Sequence, residues 1–241
     1  MEFKQKIIIL TTDTLHHRYF INKIIDEGYT IDTVFFEKNK IQPDYEKDIV
    51  FEKDENEFEK NNFFKELPYE IKDKIKICKV DNINDSIVSE RIKELEIKIG
   101  IVFGTSPIKR KVLSLFNEKI FNIHRGIPQY YRGLDSDLWA INNNDWNRIG
   151  TTIHKVEERL DTGDYVYQQS LKLEKGMKIY HVRYHTTLIA CKLVIKLLKD
   201  LFDGDVNLIK QEKLGDYYSS MPIELKKEMK LKFNLYCDNL N

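Results

Sequence analysis

Cysteine is scarce in this chain of 241 residues: Cys78, Cys191 and Cys237 are scattered and odd in number. Three lone thiols exclude a disulfide framework and point to a reducing compartment. None has a partner at metal-ligand spacing, so no metal site is expected. Long apolar runs are also missing. No stretch approaches the roughly 18 consecutive apolar residues of a membrane span. Ile7–Leu10 is too short for a signal-peptide core, and no small-residue cleavage site follows it. A soluble, cytoplasmic protein without a membrane partner is expected. Net charge is missing too. Lys+Arg and Asp+Glu both number 39, so no global field draws the chain onto nucleic acid. There is no internal repeat and no glycine-rich phosphate loop.

What is present reads as alternating strands and helices. Lys6–Leu10 is a β-branched, apolar run ending in Thr-Thr-Asp, as expected of a buried parallel strand. Asp13 or Thr14 can cap the next helix, where Phe20/Ile24 and Ile21/Ile25 share a face, and Gly28 can end it. Ile31–Phe36 is a second strand, Ile75–Val80 a third and Ile97–Gly104 a fourth. Between the last two, Ile83, Ile87, Val88, Ile92 and Leu95 make a helical stripe facing a core. Asp44–Glu66, dense in Glu, Lys and Asn, reads as a solvated loop and helix tacked down by Phe51, Phe58, Phe63 and Phe64. The β-α-β opening favours an α/β fold with an open, parallel-rich, Rossmann-like sheet. A long helix over Ile179–Phe202 is stopped by Asp203-Gly204. Residues 1–203 then form one catalytic domain and 204–241 a small C-terminal appendage. Lys210–Tyr218 reads as a hairpin-like piece and Pro222–Leu235 as a charged helix.

The densest chemistry lies in Phe121–Gly163. Asn122 and His124 alternate on a strand, so their side chains share a face. Pro128 and Tyr130-Tyr131-Arg132-Gly133 read as a loop. Gly150-Thr151-Thr152-Ile153-His154 opens a further strand, and Leu160-Asp161-Thr162-Gly163-Asp164 is a turn, with Gly163 free to take positive φ. Taken singly, each of these has a bland reading: an Asn and a His satisfying a buried turn, an Asp that only makes one. The ordered set Asn122, His124, Pro128, Arg132, Gly133, Gly150, Thr152, Asp161 and Gly163 resembles the folate-dependent formyltransferases, which act on glycinamide ribonucleotide, on methionyl-tRNA or on nucleotide-linked amino sugars.

The resemblance implies 10-formyltetrahydrofolate as donor and Asn122, His124 and Asp161 as the catalytic residues. It also implies a pterin pocket along Phe103, Gly104, Thr105, Ser106 and Pro107, closed by Asp161 and Asp164. Formyl transfer needs donors aimed at an oxygen that gains charge, which an amide and an imidazole supply. A carboxylate can orient that imidazole and assist proton relay.

His16, His17 and Arg18 follow the first strand at the carboxyl edge, either touching phosphate or substrate or forming an exposed first helical turn. Arg125 could reach a pyrophosphate. With Tyr131, these residues make an acceptor-binding set. Arg132 serves either the acceptor or its own loop, and His154 either structure or ligand. Trp139 reads as core. His181 and His185 have i,i+4 spacing, but no third metal ligand presents itself.

The Tyr-Tyr-Arg-Gly loop, the Thr-Ile-His strand and the Thr-Leu-His-His-Arg-Tyr-Phe segment look most like sugar N-formyltransferases. That implies a nucleotide-sugar acceptor, such as dTDP-4-amino-4,6-dideoxyglucose, in surface-polysaccharide (O-antigen) synthesis. The alternatives are a glycinamide ribonucleotide enzyme, disfavoured by the missing glycines after the first strand, and an inactive folate- or sugar-binding module. A tRNA enzyme is disfavoured by neutral charge and by a length with no room for the C-terminal barrel of that group. A homodimer is expected from Tyr217, Tyr218, Phe233, Leu235 and Tyr236, more apolar surface than a short appendage buries alone.

Overall fold

The computed structural model describes residues 6–38, 50–71, 75–95, 99–204 and 206–241. The Asp44–Ile49 part of the acidic stretch and Ile97 lie outside the described residues. The chain runs β1 (Lys6–Thr12), α1 (Leu15–Asp26), β2 (Thr30–Glu37), α2 (Glu52–Phe63), β3 (Lys76–Val80), α3 (Ser86–Glu94), β4 (Ile99–Phe103) and α4 (Arg110–Leu113). It continues through β5 (Ile120–His124), β6 (Tyr131–Gly133), α5 (Ser136–Asn142), β7 (Gly150–Lys155), β8 (Tyr165–Ser170), α6 (Val182–Asp203), β9 (Asp216–Tyr218) and α7 (Ile223–Asp238).

The main sheet has the order β3-β2-β1-β4-β5-β7-β8. Its first five strands are parallel, and β7 and β8 join antiparallel, so the expected α/β, parallel-rich sheet is what forms. Strand periodicity distributes the core. Ile7 and Ile9 enter one apolar cluster with Phe20, Ile24 and Leu197; Ile8 and Leu10 enter another with Val88, Val112 and Phe116. Every residue of Ile7–Leu10 is wholly buried, the pattern of a central parallel strand covered on both faces.

Three local readings change. Ile87 is 58% exposed: it lies off the α3 stripe, which Val88 and Ile92 carry, with Ile83 packing from before the helix. Tyr131–Gly133 is not plain loop, and Asp216–Tyr218 is not half of a hairpin. They pair with each other, in parallel, as a separate two-stranded sheet. The reason is tertiary, because a three-residue strand finds its partner by position rather than by local pattern. Of the five residues that motivate a dimer, Phe233 is buried in the chain's own core, Tyr236 stacks on Trp146 and Tyr218 on Trp139. Only Tyr217 and Leu235 are strongly exposed. Met221, Met229, Phe233 and Cys237 all enter the same core cluster as β1 and α6. No helix among the described residues is long and apolar enough to cross a membrane.

Candidate active site

The carboxyl end of β5 places Asn122 and His124 on one strand face, and β7 runs antiparallel beside it with Asn122 opposite His154. Directly opposed residues put their side chains next to each other. The Asn122 amide therefore meets the His154 ring, Nδ2 to Nε2, at 3.1 Å. After β7 the chain returns over this pair through the turn at Asp161.

Asp161 holds the cluster together. Its Oδ2 accepts the Gly133 N–H at 2.9 Å and lies 3.5 Å from His124 Nδ1. Its Oδ1 lies 3.3 Å from His154 Nε2 and accepts from Asn122 Nδ2 at 3.4 Å. Burial alone would raise the carboxyl pKa. The His124 imidazole, then His154 and the Gly133 N–H, outweigh it and hold the group well below the ordinary carboxylate range. His124, His154 and Asp161 are buried, while Asn122 is half-buried at the front. The bond from Asn122 to Asp161 is long and weak, so that N–H is free to turn and donate to a better acceptor. His124 Nε2 lies 2.9 Å from the Tyr131 carbonyl, which can only accept, so Nε2 carries a proton.

The residue in the left-handed region is Asp161 itself, at φ 54°, and not Gly163. Gly163 is needed for space, since a Cβ there would lie 2.0 Å from the Lys155 carbonyl oxygen. Gly126, at φ 153°, has a different duty: a Cβ on it would lie 2.7 Å from both His124 Nε2 and Ser136 Cβ. Gly126→Ala is therefore expected to push the imidazole out of place. A shift of about 1 Å costs on the order of 10²-fold in turnover. Steady-state kinetics beside a melting curve checks this, with turnover falling far more than stability.

The loop after β4 is built as a cradle. Buried Glu37, at the end of β2, accepts the Ser106 N–H at 2.6 Å and the Ile83 N–H at 2.8 Å, fixing Gly104–Pro107. Gly104, at φ 71°, turns its open side to the His17 ring, whose Nε2 is buried without a hydrogen-bond partner among the described residues. The loop thus offers backbone donors and acceptors of the kind a flat heterocycle carrying N–H groups would use, with the buried His17 ring of α1 behind it.

The residues singled out from sequence separate on the structure. Asn122, His124, His154 and Asp161 come together. Asp164 follows on the same turn, its carbonyl taking the Lys155 N–H. Tyr131 meets His124 by its carbonyl and gives its hydroxyl to Asp145. Arg132 is committed to main chain, with Nε on the Gly215 carbonyl at 2.7 Å and Nη1 on the Leu160 carbonyl at 3.3 Å. Arg18 is held by Asp13 and lies over the Tyr69 ring. His17 is pushed down to about 3 by burial and by the Arg125 charge, and His16 is held well below its usual value by burial and by His17. Both rings pack against Phe103. Arg125 itself makes no hydrogen bond or ion pair among the described residues, yet its charge reaches His16, His17, Glu55 and Asp135.

Sequence reading missed a buried charged cluster beside these residues. Arg183, on α6, forks onto Glu59 (2.6 and 2.9 Å) and meets Glu55 at 2.6 Å. Burial, and the neighbouring Glu59 charge, push Glu55 up to about 7 against the pull of Arg183. The i,i+4 spacing of the two glutamates was the available signal.

Residues 5–185 match the model of a family described as Formyl transferase. Among curated proteins, a methionyl-tRNA formyltransferase from Finegoldia magna is 29% identical over 120 residues, 49% of this chain and 38% of its own. The chain thus spans well under two thirds of the length of that relative. Among solved structures, a sugar N-formyltransferase from Shewanella sp FDAARGOS_354 superposes with a TM-score of 0.63 at 14% identity, covering 98% of this chain and 90% of that one. Glycinamide ribonucleotide transformylase 1 from Symbiobacterium toebii gives 0.62 at 13% identity, covering 86% and 94%. The formyltransferase PseJ from Anoxybacillus kamchatkensis, solved with UDP-4,6-dideoxy-4-formamido-L-AltNAc and tetrahydrofolate, gives 0.51 at 17%, covering 89% and 85%. These structures share the fold, and with three quarters of its length inside the family match, the chain belongs to the formyl transferase family.

Proposed function

We propose that the protein transfers a formyl group from 10-formyltetrahydrofolate to the amino group of a nucleotide-linked amino deoxysugar, dTDP-4-amino-4,6-dideoxyglucose being the first candidate. The observation that carries this reading is the Asn122–His124–Asp161 assembly, with Arg125, which makes no hydrogen bond or ion pair among the described residues, following His124 directly at the end of β5. A cation at the carboxyl edge of an open α/β sheet suits an anionic acceptor such as a sugar diphosphate. The near full-length superposition on a sugar N-formyltransferase supports the same acceptor class.

The folate supplies an activated formyl carbon, and Phe103–Pro107, Asp161 and Asp164 would hold it. The acceptor amine forms a C–N bond to that carbon as the carbon's bond to the folate nitrogen breaks. One proton leaves the amine and one returns to the folate nitrogen. Asn122 stands at the front and offers Nδ2 to the formyl oxygen as it gains charge. His124 meets the same oxygen by giving up the Tyr131 carbonyl. Asp161, fixed by Gly133, holds the ring and assists removal of the amine proton.

The test is a screen with 10-formyltetrahydrofolate, reading released tetrahydrofolate. Its acceptors are dTDP- and UDP-linked amino deoxysugars, glycinamide ribonucleotide and methionyl-tRNA. Formylation of a nucleotide sugar is expected. The curated relatives favour methionyl-tRNA as a second reading, and turnover of the tRNA or of glycinamide ribonucleotide alone would overturn the first. Arg125→Met should raise the acceptor KM about 10- to 100-fold, the worth of one charge-assisted contact, and leave folate affinity unchanged by calorimetry. An unchanged acceptor KM would remove Arg125 from the acceptor site.

A further inference from the structure

The segment between α6 and α7 lies outside the part of the chain that matches the family, yet it is laced onto the Asp161 turn. Gln211 is 7% exposed, and its Nε2 donates to two carbonyls of that turn, Gly163 at 2.7 Å and Asp161 at 3.1 Å. The same segment bridges its Ile209 to Tyr165 in both directions, immediately beyond the turn. It also supports the other side of the carboxylate. β9 pairs with β6, which ends at Gly133, the N–H donor to Asp161. Gly133 and Gly215 record how close this approach is. A Cβ on Gly133 would lie 2.2 Å from the Tyr218 carbonyl oxygen, and one on Gly215 would lie 2.2 Å from the Tyr130 carbonyl carbon. Arg132 closes the lattice, joining the Gly215 carbonyl of the segment to the Leu160 carbonyl of the turn.

Asp161 is a non-glycine residue at φ 54°, a conformation that costs free energy unless its surroundings hold it. Gln211 supplies that hold without touching the carboxylate.

We infer that residues 206–222 form a clamp that sets the position of Asp161 against His124 and His154, with Gln211 as a positioning residue for formyl transfer. A side-chain amide suits this duty because its two N–H groups satisfy two neighbouring carbonyls at once. When the amide is lost, the turn relaxes toward ordinary backbone angles and carries the carboxylate away from the imidazoles. The inference rests on the role proposed for Asp161, and one arm of its test does not.

The variant is Gln211→Met, which keeps volume and apolar contact and removes both donors. Turnover with the acceptor found by the screen should fall about 10²-fold, as for an Å-scale displacement, with folate affinity unchanged. The second arm follows the Asp161 carboxyl carbon by NMR through an acid titration, with no substrate present. In the wild type the carboxyl stays ionised below the ordinary aspartate range, about 3.9; in Gln211→Met its titration should move up toward that range. Gln211→Asn, which keeps an amide one methylene short, should recover part of both effects, and it carries the test if the methionine variant does not fold. Unchanged turnover and an unchanged Asp161 titration, with only the melting temperature lowered, would overturn the inference. If no acceptor is formylated, the proposed function fails, and the titration still decides whether the clamp exists.

Discussion

Asp161→Asn is expected to reduce kcat by on the order of 10³-fold, the scale of losing a preorganised charged partner in a dry site, while folate affinity stays within a few-fold. The substitution keeps the shape and removes the charge that holds His124 and His154. His124→Asn should lose about as much. Because one carboxylate touches both rings and the Asn122 amide, the double variant should be little worse than either single one. Fully multiplied losses would show two residues acting independently, and singles within a few-fold of wild type would remove them from the chemistry. Stability carries a second signature. The folded-state pKa of Asp161 is depressed, so its ionised form stabilises the fold above about 3.9, the ordinary aspartate value. That contribution is lost as pH falls below it. The difference in melting temperature between wild type and Asp161→Asn should therefore shrink in acid, as scanning calorimetry at stepped pH would register.

Arg183→Met is expected to be the most destabilising single change of those considered. Glu59 is wholly buried and Glu55 nearly so, and Arg183 is their shared counter-ion. Removing one partner of a buried ion cluster costs about 3–5 kcal/mol, because the remaining charges keep their desolvation penalty. For a chain of this size each kcal/mol lowers the melting temperature by about 2–4 °C. The loss should be larger at pH 8 than at pH 5. Glu55 already has its folded-state value raised from 4.5 to about 7. Its contribution is full below the unfolded value and fades as pH rises through the folded one, and without Arg183 that fading steepens. Adding Glu55→Gln and Glu59→Gln should restore much of the loss, since no unpaired charge then remains. A melting temperature for Arg183→Met within a degree or two of wild type would mean that the cluster is dispensable.

Much of this molecule was legible in one dimension. Ile7–Leu10, Ile31–Phe36 and Ile99–Phe103 became buried strands because apolar, β-branched runs bounded by turn residues have few other stable destinations. Asn122 and His124 had to share a face because strand side chains alternate, and Asp203-Gly204 had to end α6 because Gly204 takes the left-handed turn at φ 119°. What stayed hidden is set by pairing and packing between distant segments. The antiparallel register of β7 put His154 opposite Asn122, where the sequence left its role open. The Asp161 turn placed the strain on Asp161 and not on Gly163, because a carbonyl from β7 fills the space a side chain at Gly163 would need. Gln211, Arg132 and Arg183 look like ordinary polar residues in the sequence. Each takes its place from partners far along the chain, two backbone carbonyls for Gln211, two more for Arg132 and a pair of glutamates for Arg183. Local propensity carries no term for such partners. Local pattern was enough to set the sheet's apolar strands and the order of the reactive residues along the chain. The tertiary structure decided which polar groups lose their water together, and buried hydrogen bonds and charges are worth most where that happens.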